Sequence, residues 1–441
     1  MIKVYMVSLG CSKNQVDAER MLFDLEENGI SVVFDETQAD VVVINTCAFI
    51  ESAKMQAIEE ILNYANLKEN GIISGIVITG CLSERYRQEV INEIPEVDAV
   101  LGIGSNDEIV TAVKRAFNRE KFSSFKEKEN LKLTGKRIRL DLSHIGYLKI
   151  ADGCSNHCAY CAIPQIRGKM RSVPLDRVLD EAKDLISQGV KELILIAQDT
   201  TVYGLDLKEK SSLKILLKKL CEIEGDFKIR LLYCYPERID EELIEIIKSE
   251  DKILKYLDIP IQHSSDSILR SMNRNIKKEQ IQNLIDTLRA QIEGITIRTT
   301  VMVGFPGETQ KDFDDLYDFV KKNKFERLGC FAYSREENTK AADFENQVPE
   351  EIKETRCQLI EQLQYDILIK LNHDEIGKIY PAIIDGKDEA ASSYIARSYK
   401  DAPEVDTFII FNSDKIFEPG DVVNLKITDC HEYDLEGELL E

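Results

Sequence analysis

Nothing in this chain of 441 residues approaches the roughly 18 consecutive apolar residues that a membrane-spanning helix requires. Its opening stretch, MIKVYMVSLGC, also lacks the long apolar region and small-residue cleavage site of a secretory signal. A cytoplasmic protein is the expectation. An excess of positive charge is missing too: 57 Lys and Arg face 79 Asp and Glu, a net charge of −22. A chain of that sign repels a phosphate backbone as a whole, which argues against general nucleic-acid binding. There is no low-complexity segment and no solenoid repeat, and 43% hydrophobic with 31% charged residues excludes wholesale disorder. Nor do the 11 cysteines make a disulfide framework, because a reducing compartment disfavours one and an odd number leaves one thiol unpaired. Metal binding is then open to some of them. The length exceeds one small module and suggests about three domains.

In the first hundred residues an apolar run ends three times in a cysteine followed by a helical pattern: KVYMVSLGC at Cys11, DVVVINTC at Cys47 and GIVITGC at Cys81. The spacings of 36 and 34 residues fit a strand, a crossover helix and the next strand, so a parallel sheet is predicted. Loops after parallel strands emerge on one carboxyl edge, where the three thiols can converge. The alternative is three buried apolar thiols. From Arg119 to Arg139 the chain is charged and aperiodic (EKFSSFKEKENLKLTGKR), which reads as a linker or solvated hairpin with a domain boundary near Gly135.

Six strand-like runs then alternate with amphipathic helices: GYLKI, ELILIA, KIRLLYC, KYLDIP, IRTTVMVGF and RLGCFAYS. Parallel strands at this spacing predict a full or partial β/α barrel with its chemistry at the strand carboxyl ends. The first intervening helix places Leu175, Val178, Leu179, Ala182, Leu185 and Ile186 on one face between Pro174 and Gly189. A helix from about Pro349 to Leu371 closes the unit. The remaining residues, 371–441, carry short β-rich runs (KIYPAIID, SYIARSY, DTFIIFN, VVNLKITD) and a net charge of −11, which predicts a small, acidic antiparallel barrel. The fold class is thus α/β: an N-terminal parallel α/β domain, a central partial β/α barrel and a C-terminal small β-barrel.

The most specific signal is Cys154-Ser-Asn-His-Cys158-Ala-Tyr-Cys161, in a loop directly after a strand. Close spacing lets one loop hold three irons of a four-iron cube and leaves the fourth open. Structural zinc normally takes four ligands, and the nearest candidate for a fourth, His157, is poorly spaced for that role. Cys221, Cys234, Cys330, Cys357 and Cys430 have no metal-binding spacing.

With Tyr160 before its third cysteine, this motif resembles the radical S-adenosylmethionine superfamily. The resemblance implies that the open iron is chelated by the amino and carboxylate groups of S-adenosylmethionine. Reductive cleavage then gives methionine and a 5′-deoxyadenosyl radical that abstracts an unactivated hydrogen. It further implies cofactor contacts from Gly304-Phe-Pro-Gly307-Glu308 after the fifth strand, Gln198-Asp199 after the second, and Pro260-Ile-Gln262-His263 after the fourth, with Arg298 and Arg274. Ordinary loop polarity is the alternative for each.

Taken with Ser8-Leu-Gly-Cys11-Ser-Lys-Asn14, Asn45-Thr-Cys47-Ala-Phe49, Thr79-Gly-Cys81 and Ile163-Pro164-Gln-Ile-Arg167-Gly168, the whole chain resembles the methylthiotransferases. That implies a methylthiotransferase domain over 1–134, a radical S-adenosylmethionine core over 140–370 and an OB-like TRAM barrel over 371–441. It implies two [4Fe-4S] clusters, one on Cys11, Cys47 and Cys81 and one on Cys154, Cys158 and Cys161, with S-adenosyl-L-methionine as the organic cofactor. An electron donor and a sulfur donor are needed besides. Lys13-Asn14-Gln-Val-Asp17, Ala48-Phe49-Ile50 and Ala396-Arg-Ser-Tyr399 through Pro403-Glu-Val-Asp406 look like the branch that modifies an aspartate of ribosomal protein S12. The alternatives are the branch that methylthiolates transfer-RNA adenosine and a non-catalytic iron–sulfur scaffold. An acidic barrel suits a basic ribosomal protein, whereas RNA-contacting barrels need cationic grooves. Glu404 and Asp406 are accordingly expected to face that partner, although acidity can also serve solubility alone.

Overall fold

In the computed structural model, residues 1–140, 142–208, 211–388 and 393–440 are described. The first sheet contains β1 (Lys3–Ser8), β2 (Ser31–Val33), β3 (Val41–Thr46), β4 (Gly75–Gly80), β5 (Ala99–Leu101) and β6 (Phe122–Ser124), in the order β2-β1-β3-β4-β5-β6. Every pairing is parallel. β3 and β4 are buried along their whole length, as strands covered by helices on both faces must be. Val42, Ile44, Ile76 and Ile78 enter one core, while Val41, Val43 and Val77 enter the other.

The charged stretch after Arg119 is not a free linker. Phe122–Ser124 adds the edge strand, pairing with β5. Leu131 is buried, and Ile138 and Leu140 pack against the first domain's core. The charges of this stretch mask short apolar anchors at wide intervals.

The second sheet contains β7 (Ile145–Lys149), β10 (Glu192–Ile196), β11 (Lys228–Leu231), β12 (Ile253–Asp258), β13 (Thr296–Val303) and β14 (Arg327–Ala332), ordered β14-β13-β12-β11-β10-β7 and parallel throughout. Between its first two strands lies a small ribbon of β8 (Ala151–Asp152) and β9 (Arg171–Ser172). The six strands stay open, which makes this a partial barrel. Alternation along the strands sorts their side chains: Leu193 and Leu195 join the outer core under the helices, whereas Ile194 and Ile196 face inward. Leu175–Ser187 is the first helix of the layer, with Val178, Ala182 and Leu185 buried, and the closing helix runs Glu350–His373.

The concave face is filled by all three parts of the chain. Val16 of the helix Ser12–Glu27 and Ala402 share one cluster with Ile145, Tyr147, Ile194, Ile196, Leu232 and Tyr256 of the barrel wall.

The C-terminal unit is a closed barrel of β15 (Ile379–Asp388), β16 (Ser393–Arg397), β17 (Ile409–Phe411), β18 (Val422–His431) and β19 (Asp434–Leu439), ordered β15-β16-β17-β19-β18. It is antiparallel except where β17 and β19 run parallel. The segment between β16 and β17 plugs the open barrel. Arg230 donates to the Tyr399 carbonyl at 2.9 Å, Arg327 Nε to Asp401 at 3.1 Å and Arg298 Nη1 to Asp406 Oδ1 at 2.5 Å. Asp406 therefore does not face a partner as its sequence context suggests, because its side chain is 1% exposed and committed to Arg298. Glu404 is exposed, with its carboxylate 3.4 Å from the Tyr147 hydroxyl.

Among the described residues, no helix is long and apolar enough to cross a membrane.

Candidate active site

Cys11 caps the helix Ser12–Glu27, Cys47 follows β3, and Cys81 opens the short helix Cys81–Arg85 after β4. These three loops are held against one another. Gly10 lies at φ +90, and a Cβ there would come within 2.7 Å of Cys47 Cβ. Asn14 Nδ2 donates to the Leu9 carbonyl at 2.9 Å and the Thr46 carbonyl at 3.2 Å, and Asn45 returns a bond to the Asn14 carbonyl at 2.7 Å. The asparagines of both motifs therefore set the loops that carry the thiols.

The Arg167 guanidinium reaches this set, with Nη2 3.8 Å from Cys81 Sγ. Burial alone pushes the Cys11 thiol up, but Lys13, Arg167 and two backbone N–H groups bring it below its ordinary value. Cys47 and Cys81 are pushed up by burial, Cys81 to about 12 despite Arg167. Lys13 is buried, with its ammonium 3.3 Å from the centre of the Tyr233 ring.

The other three cysteines lie in the loop after β8. Gly153, at φ +75, backs onto the Lys169 carbonyl with no space for a Cβ, and Cys154 N donates to the Gly168 carbonyl at 3.1 Å. The loop is pinned further by Ala159 N to the Met272 carbonyl at 2.9 Å, Asn273 Nδ2 to the His157 carbonyl at 2.7 Å and Asn156 Nδ2 to Asp199 Oδ2 at 2.8 Å. Cys158 Sγ lies 3.6 Å from the Tyr235 hydroxyl, whose ring lies 4.2 Å beneath the Arg274 guanidinium. Burial raises Cys154 to about 11 and Cys161 to about 12, and neighbouring thiols add to both.

Each thiol set offers three sulfurs, one short of the four ligands of a structural zinc site. Tetrahedral zinc needs sulfurs about 4 Å apart. Among the described residues only Asp429, His431 and Glu436 bring three candidate ligand atoms within 4.8 Å of one another, and neither cysteine set does. His157 is exposed, and its backbone carbonyl accepts from Asn273.

The two sets are joined by buried charges that the sequence reading passed over. Arg167 ends the helix Ile163–Arg167, which follows Cys161 directly. Its Nη1 donates to Asp17 Oδ2 at 2.9 Å and Asp152 Oδ2 at 2.7 Å, and Nη2 to Asn14 Oδ1 at 3.1 Å. Lys149 Nζ bonds Asp17 at 2.6 Å and pairs with Asp152. Four charges with almost no solvent exposure thus weld the first helix of the N-terminal domain to the barrel mouth. The signal was present as Asp17 and Arg167 within their motifs, but only the fold pairs residues 150 apart.

The remaining predicted contacts divide. Gln198 Nε2 lies 3.5 Å from Asp152, and its Oε1 is buried with no partner, an acceptor available to a ligand donor. Gln262 sits at φ +68 and is bridged to β13 by its backbone. Gly304, at φ +69, packs where a Cβ would strike Lys353. Glu308 closes that turn, accepting from Phe305 N at 3.1 Å and from Arg356 Nη1 at 2.9 Å. Burial pushes the Glu308 carboxyl up to about 7 against the pull of Arg356. Its neighbour His263 is driven down to about 4 by burial and stays neutral. Arg298 lies lower in the barrel, paired with Asp406 and 3.8 Å from Asp258.

This fold and these thiol sets define a radical S-adenosylmethionine protein with a TRAM barrel. Residues 148–320 match the Radical SAM superfamily, residues 3–102 the uncharacterized protein family UPF0004 and residues 376–440 the TRAM domain. The ribosomal protein uS12 methylthiotransferase RimO of Lachnoclostridium phytofermentans is 44% identical over 437 residues, 99% of each chain. The protein of the same name from Thermoanaerobacter sp. is 46% identical over 439 residues, 99% of this chain and 100% of that one. The chain belongs to the ribosomal protein uS12 methylthiotransferase family. Its fold also matches a radical S-adenosylmethionine methyltransferase, TsrM, from Kitasatospora setae, at a TM-score of 0.56 and 14% identity over 75% of this chain and 73% of that one.

Proposed function

We propose that this protein is a radical S-adenosylmethionine enzyme that places a methylthio group on the β-carbon of an aspartate in ribosomal protein uS12. The observation that carries the reading is the junction of two thiol sets, Cys11, Cys47 and Cys81 on one sheet edge and Cys154, Cys158 and Cys161 at the barrel mouth, both tied to Arg167. Each set would hold a four-iron cluster. When bound, the clusters and S-adenosylmethionine supply hydrogen abstraction from an unactivated carbon, a sulfur atom and a methyl group.

The chain's own residues supply the rest. The Gly153–Gly168 contact fixes Cys154, Asn156 and Asn273 hold the loop, and the Tyr235 hydroxyl lies against Cys158. Gln198, Gln262, Gly304 and Glu308 are proposed to receive S-adenosylmethionine, the orphaned Gln198 Oε1 being the clearest acceptor. Arg298 keeps that assignment only as a more distant charge. The proposed domain limits are 1–134, 140–370 and 371–441. An electron donor and a sulfur donor complete the reaction, in a cytoplasm that keeps eleven free cysteines reduced.

Mass spectrometry of uS12 and nucleoside analysis of transfer RNA from cells with and without this protein test the reading. The expected result is loss of the methylthio group from uS12 with 2-methylthio adenosines intact. The reverse pattern makes the RNA-modifying alternative correct.

A further inference from the structure

Lys13 is the most unusual charged group at the junction. It is 7% exposed, yet no carboxylate among the described residues stands within ion-pair distance of it. Its ammonium instead rests 3.3 Å over the Tyr233 ring. Asp258 feels its charge, and that group is already taken: Oδ2 accepts from Tyr233 N at 3.0 Å and Oδ1 faces Arg298. The Tyr233 side chain and the Cys11 thiol favour the Lys13 charge against the desolvation, but neither is a carboxylate, and a substrate anion would give the ammonium a full partner.

Its position is as informative as its isolation. Lys13 is two residues from Cys11 of the first thiol set. Its ring partner, Tyr233, lies two residues before Tyr235, whose hydroxyl is 3.6 Å from Cys158 of the second. Tyr233 is also held at φ +60, a left-handed conformation costly for an aromatic residue, by bonds from its backbone to Asp258 and Thr200. The strained turn keeps the ring beneath the ammonium. The charge therefore lies beside the first thiol set, over a ring carried by the same turn as Tyr235 of the second.

We propose that Lys13 receives the side-chain carboxylate of the target residue and so selects an acidic side chain for modification. The assignment rests on the aspartate reading above. The β-carbon of aspartate bears that carboxylate directly, so a cation that holds one positions the other. The Tyr233 ring holds the ammonium in the absence of substrate and can remain beneath it when the anion arrives.

The test uses purified uS12 and uS12 with the target aspartate changed to Asn, with the reconstituted enzyme and its Lys13→Met and Lys13→Arg variants. Lys13→Met should raise KM for uS12 by about a hundredfold, the scale of an unpaired buried charge, with a smaller fall in kcat. Binding of uS12 and its Asn form should become nearly equal, and Lys13→Arg should recover part of the preference. In a background with Cys154, Cys158 and Cys161 replaced by Ala, iron content and the electron paramagnetic resonance of the remaining cluster should not change with Lys13→Met. A preserved preference for the aspartate form in Lys13→Met overturns the proposal. So does a loss of iron or an altered spectrum, which makes Lys13 a counter-charge of the thiols. Failure of the unsubstituted enzyme to modify uS12 at all overturns the underlying activity, and the aspartate assignment with it.

Discussion

Replacing Asp406 by Ala is expected to loosen the C-terminal barrel from the rest of the molecule. Asp406 Oδ1 accepts from Arg298 at 2.5 Å, and Oδ2 accepts from the Tyr256 hydroxyl at 2.6 Å and Ala402 N at 2.9 Å. Its side chain is 1% exposed and Tyr256 is wholly buried. Breaking a buried ion pair by removing one partner costs about 3–5 kcal/mol. Arg298 is 21% exposed and keeps Asp258 at 3.8 Å, which places this loss near the lower end. About 3 kcal/mol corresponds to roughly 6–12 °C in the melting of a unit of 150–250 residues. Calorimetry of the anaerobic protein, with limited proteolysis to report release of the barrel, measures this directly. The exposed Glu404 provides the control, and its Ala variant should shift melting by less than about 2 °C. A cycle with Arg298→Ala isolates the pair, and the double variant should cost much less than the sum of the singles. If Asp406→Ala melts like the parent and instead loses only affinity for uS12, the buried-plug account is wrong and the carboxylate faces the partner after all.

Three further outcomes are expected. Replacing Cys154, Cys158 and Cys161 by Ala should abolish 5′-deoxyadenosine formation, whereas replacing Cys11, Cys47 and Cys81 should remove about four irons per chain and leave that reaction in place; full iron in the second variant refutes a second cluster. Glu308, raised to about 7 from the usual 4.5, binds its proton more tightly folded than unfolded, so its contribution is complete below about pH 4.5 and is lost as pH rises through 7. Glu308→Gln should accordingly gain on the parent between pH 5 and 8, by at most about 3 kcal/mol, and melting curves that stay parallel across that range mean that Arg356 dominates. Binding of the full chain to purified uS12 should weaken steeply as salt rises to roughly 1 M, through Asp414, Glu418, Asp421, Asp429, Glu432 and Glu438, which are exposed; salt-independent binding refutes electrostatic docking.

The parts of the fold carried by local patterns were legible in the sequence. Runs such as VVVIN and ELILI are buried on every residue and have one reading only, and the recurrence of Cys11, Cys47 and Cys81 after such runs placed three thiols on one sheet edge. What escaped was short or paired across long separations. β19, DLEGEL, has three acidic residues and a glycine in six positions and is a strand because it closes the barrel, not because of its propensity. β6 has three residues and forms because β5 offers it a free edge. Asp406 was misread for a simple reason. A carboxylate in an acidic stretch is normally solvated, and nothing local reports that Arg298 and Tyr256, both over a hundred residues earlier, wait on a concave wall. Arg167 and Lys13 share that difficulty, since each gains meaning only when two domains are brought together.

The open barrel explains why all three parts are needed. A six-stranded parallel sheet that does not close leaves an inner face of Ile145, Tyr147, Ile194, Ile196, Leu232 and Tyr256 to be covered, and Val16 from one side and Ala402 from the other cover it. The C-terminal barrel is therefore built into the core through its plug, with Asp401 and Asp406 consumed by Arg327 and Arg298, and cannot swing away without exposing that face. On the proposed electrostatic docking and the proposed role of Lys13, recognition divides into two steps of different physics. Salt-sensitive attraction of a basic protein occurs over the whole acidic surface, where each charge contributes little. Selection of one carboxylate occurs where Lys13 stands desolvated, and there a single charge decides.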